Sequence, residues 1–185
     1  MKNGKLIVIS GASGVGKGTV LSLMMQKRDA LFFSVSATTR DPRPGEVDGK
    51  HYFFISKECF EEMIKNDEFL EYDAHAANYY GTLRGQAEAK QKKGHVLLDI
   101  EPKGAAQVRK SAPDAILIFI MPPSVEELER RLRGRGDTSE DQIAMRMDRA
   151  IWEMVQRTWY DYVVVNDDAQ RCADEILSII SKLED

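Results

Sequence analysis

The sequence predicts an α/β fold, a parallel sheet core flanked by helices with an inserted small strand-rich lobe and a short helical lid, on three observations. Four apolar runs recur without the polar alternation of a half-exposed strand: LIVI (6–9), VLLDI (96–100), AILIFIM (115–121) and YVVV (162–165). Such runs suit strands covered on both faces, as in a parallel sheet. Helical spacing separates them, and it is interrupted from about Ser34 to Leu83, where turn-rich and alternating segments take over.

Each element has its own signal. The first run leads through a glycine-rich turn into a helix pattern (Val20, Leu21, Met24). In the inserted stretch, Cys59, Phe60, Met63 and Ile64 mark one short helix, and FLEYDAHA alternates like a strand. Gly94 follows the lysine-rich KQKK end of a helix. A helix beginning near Pro102 is stopped by Pro113, since proline suits a first turn and blocks continuation. Val125, Leu128 and Leu132 form one stripe, and Ile143, Met147, Ala150, Ile151 and Met154 another, with Ser124 and Glu127 spaced as a capping box. GRGDTS (134–139) has the composition of a mobile connection, a hinged flap within a lid of about residues 131–149. The core then comprises residues 1–33 and 84–185, and the lobe residues 34–83.

Bulk properties narrow the function classes. A net charge of -4 gives no general attraction for nucleic acid, and basicity is local, with six arginines between Arg130 and Arg149. No apolar run approaches the roughly 18 residues that span a bilayer. The start Met1–Lys5 lacks the apolar region of a secretory leader, so a cytoplasmic protein without a membrane partner is expected. Cys59 and Cys172 lack C-x-x-C or histidine spacing and read as two buried thiols. His51 and His75 have no ligand-like neighbours and read as structural, and Trp152 and Trp159 read as packing residues.

The glycine-rich turn is ISGASGVGKGT (9–19), which nearly spells G-x-x-x-x-G-K-[ST] between a strand and a helix. Gly11, Gly14 and Gly16 let the backbone of Ala12, Ser13, Val15 and their neighbours turn N–H groups toward an anion; the helix start adds its positive end and Lys17 a full charge. A nucleoside triphosphate is the ligand expected. Gly18 stands where the motif has a hydroxyl, and Thr19, one position on, still offers one to a phosphate. Direct ligation of Mg²⁺ by the loop is then lost. The ion would rest on nucleotide oxygens, water and a carboxylate elsewhere, and Asp99, polar at the end of its apolar run, is the candidate, through water.

Thr38, Thr39, Arg40, Arg43, Glu46, Gly49, Tyr52 and Phe54 stand at the spacing T-T-R-x-x-R-x-x-E-x-x-G-x-x-Y-x-F, which resembles the signature segment of the guanylate kinases. The resemblance extends through FLEY before NYYGT, LLDIE, RLRGRG, AMRMDRA and YDYVVVNDD. It implies reversible, Mg²⁺-dependent transfer of the γ-phosphoryl group of ATP to GMP or dGMP.

Arg40 and Arg43, three apart beside Pro42 and Pro44, suit a stiff turn holding two guanidinium forks toward one phosphate. The resemblance adds Tyr52 and Tyr80 as further phosphate donors. In a strand, Glu71, Asp73 and His75 share a face, and the resemblance selects Glu71 to accept from guanine N1–H and the 2-amino group, with Ser36 and Thr82 on the O6 side. Adenine presents a lone pair at N1, which a carboxylate repels. Arg131, Arg135 and Arg146 correspond to the family's lid arginines, with Arg135 and Arg146 joining Lys17 in stabilising charge, while Arg130, Arg133 and Arg149 read as ion-paired solvent faces. VNDD resembles the loop that contacts adenine, through Asn166, and Asp99 and Glu101 are expected at the GMP site. Glu101 in place of the usual aspartate, Lys103 in place of the frequent glutamine, and Gly18 are departures from the family pattern.

Taken singly, these side chains also fit bland roles: Arg40 as a surface charge, Glu71 as a solvent-facing strand residue, either tyrosine as a core member. Two other functions share part of the pattern. A kinase of another nucleoside monophosphate needs a different base pocket. A non-catalytic guanylate-kinase-like interaction module generally lacks the lysine and lid arginines that Lys17, Arg135 and Arg146 supply.

Overall fold

The computed structural model describes residues 4–75, 77–134 and 139–183. In chain order the elements are β1 (Leu6–Gly11), α1 (Lys17–Lys27), β2 (Leu31–Phe33), β3 (Ala37–Thr38), β4 (Phe53–Phe54), α2 (Lys57–Lys65), β5 (Phe69–His75) and β6 (Asn78–Leu83). They continue with α3 (Arg84–Gln91), β7 (His95–Asp99), α4 (Pro102–Ser111), β8 (Ile116–Met121), α5 (Val125–Arg133), α6 (Glu140–Val155), a 3-10 turn (Gln156–Trp159), β9 (Tyr162–Val165) and α7 (Ala169–Lys182). Two compact units result, Met1–Val8 with Ala30–Ile116, and Ile9–Asp29 with Leu117–Asp185. The larger sheet has the order β2-β7-β1-β8-β9, with β2 parallel to β7 and β8 parallel to β9. Ile7 to Ile9, Val96 to Leu98 and Leu117 to Ile120 are buried, as unbroken apolar runs require.

YVVV departs from the expectation of a strand covered on both faces. In β9 only Val164 is buried, and Tyr162, Val163 and Val165 are exposed, because β9 is the last strand in the order. The fifth strand, β2, is only three residues long and carries no periodic signal.

In the first unit a second sheet, of order β4-β3-β6-β5, is built within residues 37–83. Its core gathers Ala37, Phe60 and Phe69, and Phe60 stacks on Phe69 at 4.3 Å and on Tyr79 at 5.1 Å between ring centroids. Each buried ring of this kind contributes about 1.5–3 kcal/mol. The Ser56 hydroxyl accepts from the Cys59 N–H at 3.1 Å and starts α2. The register of β5 on β6 shifts between Phe69 and Glu71, a bulge that leaves Phe69, Leu70 and Glu71 buried in succession. Helix α4 is stitched to β5 by side chains: Gln107 accepts from the Tyr72 N–H at 3.1 Å and donates to its carbonyl at 2.8 Å, and Ser111 donates to the Leu70 carbonyl at 2.8 Å.

In the second unit, Ser124, Ser139 and Asp168 cap α5, α6 and α7 by accepting from Glu127, Gln142 and Arg171 N–H groups. The expected capping box is half made. The Glu127 carboxylate accepts from Arg130 and Arg131 instead of turning back to the chain. Leu128 and Leu132 are buried while Val125 is exposed, and on α6 Ile143, Ala150 and Met154 are buried while Ile151 is exposed. Cys59 is exposed, against the expectation of a buried thiol, since it lies on the outer face of α2; Cys172 is buried. Trp152 is 48% exposed and is not a packing residue, whereas Trp159 stacks on Tyr160 at 4.4 Å. The hinge expected over 134–139 falls mostly on residues 135–138, outside the described residues, as does Arg135. Among the described residues no helix is long and apolar enough to cross a membrane.

Two candidate nucleotide sites

The second unit carries the phosphate loop. β1 ends at Gly11, α1 begins at Lys17, and Gly14 and Gly16 take φ of 85° and 92°, values that favour glycine. A Cβ on Gly14 would lie 2.6 Å from the Leu132 side chain, and one on Gly16 2.8 Å from Asn166 Nδ2, so both glycines are demanded by space as well as by angle. Gly18 differs. Nothing lies within 4 Å of a Cβ built there, and both it and Thr19 are exposed on the first turn of α1. The missing hydroxyl is therefore not a consequence of crowding.

Arg131 and Asn166 approach the loop's backbone. The Val15 carbonyl accepts from Asn166 Nδ2 at 2.8 Å and from Arg131 Nη1 at 3.1 Å, while Arg131 Nη2 donates to the Asn166 carbonyl at 3.0 Å and Nε to Glu127 at 2.7 Å. In a trans peptide the carbonyl and the following N–H point opposite ways. Clamping the Val15 oxygen from outside thus turns the Gly16 N–H inward, toward where an anion would sit. Asn166 is buried and anchored by its own N–H to the Met121 carbonyl at 2.8 Å. Arg146 is half-buried on α6. Arg130 pairs with Glu127, Arg133 with Glu129 and Glu140, and Arg149 with Glu153.

The first unit carries a cavity of about 250 Å³, lined by Ser36, Tyr52, Glu71, Tyr80, Asp99 and Glu101 among others. Asp73, His75, Gly81, Ile100 and Gly104 complete its wall. Glu71 is its buried group: Thr82 Oγ1 donates to Glu71 Oε1 at 2.6 Å across the β5–β6 pair. Burial pushes the Glu71 carboxyl above its ordinary pKa, and the hydrogen bonds from Thr82 oppose that rise. Gly104, in the first turn of α4, makes room for it, because a Cβ there would stand 2.6 Å from Glu71 Oε2.

Arg40 is held within the lobe before any ligand arrives. Its guanidinium donates to both Glu46 oxygens, at 2.7 and 2.6 Å, and to the Asp41 carbonyl at 2.9 Å, and it lies over the Tyr52 and Phe54 rings at 5.0 and 5.6 Å. The Arg40 fork and the Arg43 N–H hold the Glu46 carboxyl down to about 2. Arg43 is exposed, with its N–H 2.7 Å from Glu46 Oε2. Glu46 is thus the residue that aims the turn, a part that spacing alone does not reveal. Asp73 and His75 were within reach of the alternation that marks Glu71; Gly104 leaves no trace in a sequence without the facing carboxylate.

The family model for guanylate kinase matches residues 3–183. The guanylate kinase of Trichormus variabilis is 50% identical over 94% of this chain and 88% of its own length. That of Thermus thermophilus is 46% identical over 96% of this chain and 81% of its own. Among solved structures, guanylate kinase from Anaplasma phagocytophilum superposes with a TM-score of 0.77 at 33% identity, covering 98% of this chain and 87% of that one.

Proposed function

The chain belongs to the guanylate kinase family, and from that premise we propose that it transfers the γ-phosphoryl group of ATP reversibly to GMP or dGMP. The observation that carries the choice of base is Glu71, a buried carboxylate held by Thr82 in the wall of a cavity that Ser36, Tyr52 and Tyr80 also line. A carboxylate accepts two hydrogen bonds from guanine and offers none to adenine.

An oxygen of the GMP phosphate attacks the γ-phosphorus of ATP, the bond to the β–γ bridging oxygen breaks, and ADP and GDP leave. The acceptor's second pKa is about 6, so at neutral pH it is already a dianion and needs no general base. Catalysis consists of holding two anions in line and absorbing the charge that spreads over the moving group. In this reading Lys17 and the loop from Gly11 to Thr19 hold the ATP phosphates, Arg135 and Arg146 act on the group in transfer, and Arg40 and Arg43 grip GMP with Tyr52 and Tyr80. Arg131 and Asn166 serve ATP by shaping the loop, given their bonds to Val15. Residues 34–83 act as the GMP lobe, 131–149 as the lid, and 1–33 with 84–185 as the core. Cytoplasmic location belongs to the same reading, since ATP and GMP are pooled there.

The residues suit an Mg²⁺ ion carried by the nucleotide. Among the described residues no group of three His, Cys, Asp or Glu side chains is placed to hold a metal. Gly18 brings no hydroxyl, so Asp99, exposed at the end of β7, is the residue that would reach the ion, through water. When bound, the ion neutralises phosphate charge.

Turnover with GMP, dGMP, AMP, UMP and CMP under ATP tests the proposal. GMP and dGMP should be used, and an AMP rate within about tenfold of the GMP rate would overturn it.

A further inference from the structure

A carboxylate sits against the phosphate loop where a negative charge is least expected. Glu153, near the end of α6, is 3% exposed, and its Oε2 accepts from the Ser13 N–H at 2.8 Å. Its Oε1 accepts from Arg149 Nε at 3.0 Å, one turn back on the same helix. A buried carboxylate costs free energy unless it is paired and hydrogen-bonded. Here both conditions are met, one of them by the backbone of the loop. A site that is to receive a polyanion gains nothing electrostatically from a second anion beside it. The benefit must lie in the position of the backbone.

Two features give that position its meaning. Ser13 directly precedes Gly14, the first of the loop's two left-handed glycines; its N–H is spent on Glu153 and not turned toward an anion as the sequence suggested, and this fixes the chain where the turn begins. On the other side of the turn the Val15 carbonyl is pulled outward by Asn166 and Arg131. The loop is thereby pinned at both shoulders, an N–H at residue 13 and a carbonyl at residue 15, with Gly14 turning between them and the Gly16 N–H facing away from the clamp on Val15. Glu153 is also seven residues beyond Arg146 on α6. Seven residues are two turns, about 10.5 Å, with a drift of only about 20° around the helix. The helix face that meets the loop through Glu153 therefore also bears Arg146.

We propose that Glu153 is a positioning residue: its carboxylate holds the phosphate loop in its anion-ready shape through Ser13 and sets α6, with Arg146, in register with that loop. The inference rests on the assignment of the loop to ATP. It requires an acceptor at the right reach, not a charge.

Two conservative variants separate those properties. Glu153→Gln keeps the length and an acceptor oxygen and loses the charge; Glu153→Asp keeps the charge and withdraws the acceptor by one methylene. ATP binding is measured by calorimetry, alongside KM for ATP, KM for GMP and kcat. E153Q should bind ATP within about threefold of the wild type, while E153D should bind it about tenfold or more weakly, with the KM for GMP within twofold in both. The reverse ranking would assign Glu153 to its ion pair with Arg149 and overturn the proposal. So would wild-type ATP affinity in E153D, or equal loss of ATP and GMP affinity accompanied by a lower Tm. Glu153→Ala should lie beyond E153D if it folds, and the two conservative variants decide the matter if it does not. Because ATP binding is read directly, a wild-type protein that bound ATP but failed to phosphorylate GMP would sink the function assigned above without touching this inference.

Discussion

The two candidate sites are made of different material. The phosphate loop of the second unit presents backbone, and the side chains that shape it, Asn166, Arg131 and Glu153, come from far along the chain and bind its outer side. The cavity of the first unit presents side chains, above all the carboxylates of Glu71, Asp73, Asp99 and Glu101. A backbone cradle recognises phosphate in any nucleotide and tolerates change at every position except Gly11, Gly14, Gly16 and Lys17. A side-chain cavity selects one base and is exposed to any change in charge, reach or protonation. Substitutions in the two regions should therefore fail in different ways, the first in rate and ATP affinity, the second in choice of acceptor.

The largest effect belongs to the loop. Lys17→Ala removes the one full charge in the loop, and kcat should fall by about 10³-fold or more while GMP affinity, measured by titration, stays within about threefold. A variant that kept wild-type turnover would remove the loop from the chemistry altogether.

Glu71→Gln should come next, and it probes selection. An amide places a donor against guanine's donors or turns its oxygen away from Thr82, so the KM for GMP should rise by about 10- to 100-fold and the preference over AMP should shrink. Undiminished preference would show that the base is read elsewhere in the cavity. Gly104→Ala attacks the same carboxylate from behind. The added methyl would meet Glu71 Oε2 at 2.6 Å, and the mobile end of the side chain must yield, so the KM for GMP should rise by about tenfold with Tm little changed. Equal KM values would mean that Glu71 has slack, and a lower Tm with unchanged KM would place the strain in α4.

The raised pKa of Glu71 gives the cavity a pH dependence that the loop lacks. The folded protein holds this proton more tightly than the unfolded chain, so the side chain's contribution to stability is full below the ordinary carboxylate pKa and is lost as pH rises through the higher folded value. On the proposed reading, in which Glu71 accepts from guanine, GMP binding needs the ionised form. Affinity for GMP, titrated between about pH 7 and 4, should therefore weaken on acidification more than protonation of the GMP phosphate, whose second pKa is about 6, accounts for, and E71Q should lose that additional part of the fall.

The contrast also explains what could be read in advance. Backbone sites need glycines at fixed offsets, so residues 11–19 announced the loop from the chain alone, and unbroken apolar runs announced β1, β7 and β8. The exposed faces of β9 were hidden because a run of valines looks the same in the middle of a sheet as at its edge. In the cavity, the alternation over residues 69–75 put Glu71 on a face with Asp73 and His75. The bulge before Glu71 could not be read, because it depends on pairing with Thr82 across the sheet. Gly104 and Glu153 were out of reach for a common reason, since each acts through a partner that only the fold brings near, whereas Glu46 stood in the signature spacing and only its grip on Arg40 had to be seen.

The smallest effect tests the tolerance claimed for the loop at its one departure from the motif. A Cβ at Gly18 would have nothing within 4 Å, and the residue is exposed on the first turn of α1, so Gly18→Ser meets no steric objection. Replacing glycine inside a helix should add roughly 0.5 kcal/mol of stability. The new hydroxyl would stand where the motif has its metal ligand, and in the proposed reading Thr19 keeps its place at the phosphates, so kcat should change by no more than about threefold while the Mg²⁺ concentration giving half-maximal rate falls. A large loss of turnover would mean that the glycine is needed for a backbone movement that a serine restricts, and the loop would then owe its function to flexibility at residue 18 as well as to the fixed shoulders at 13 and 15.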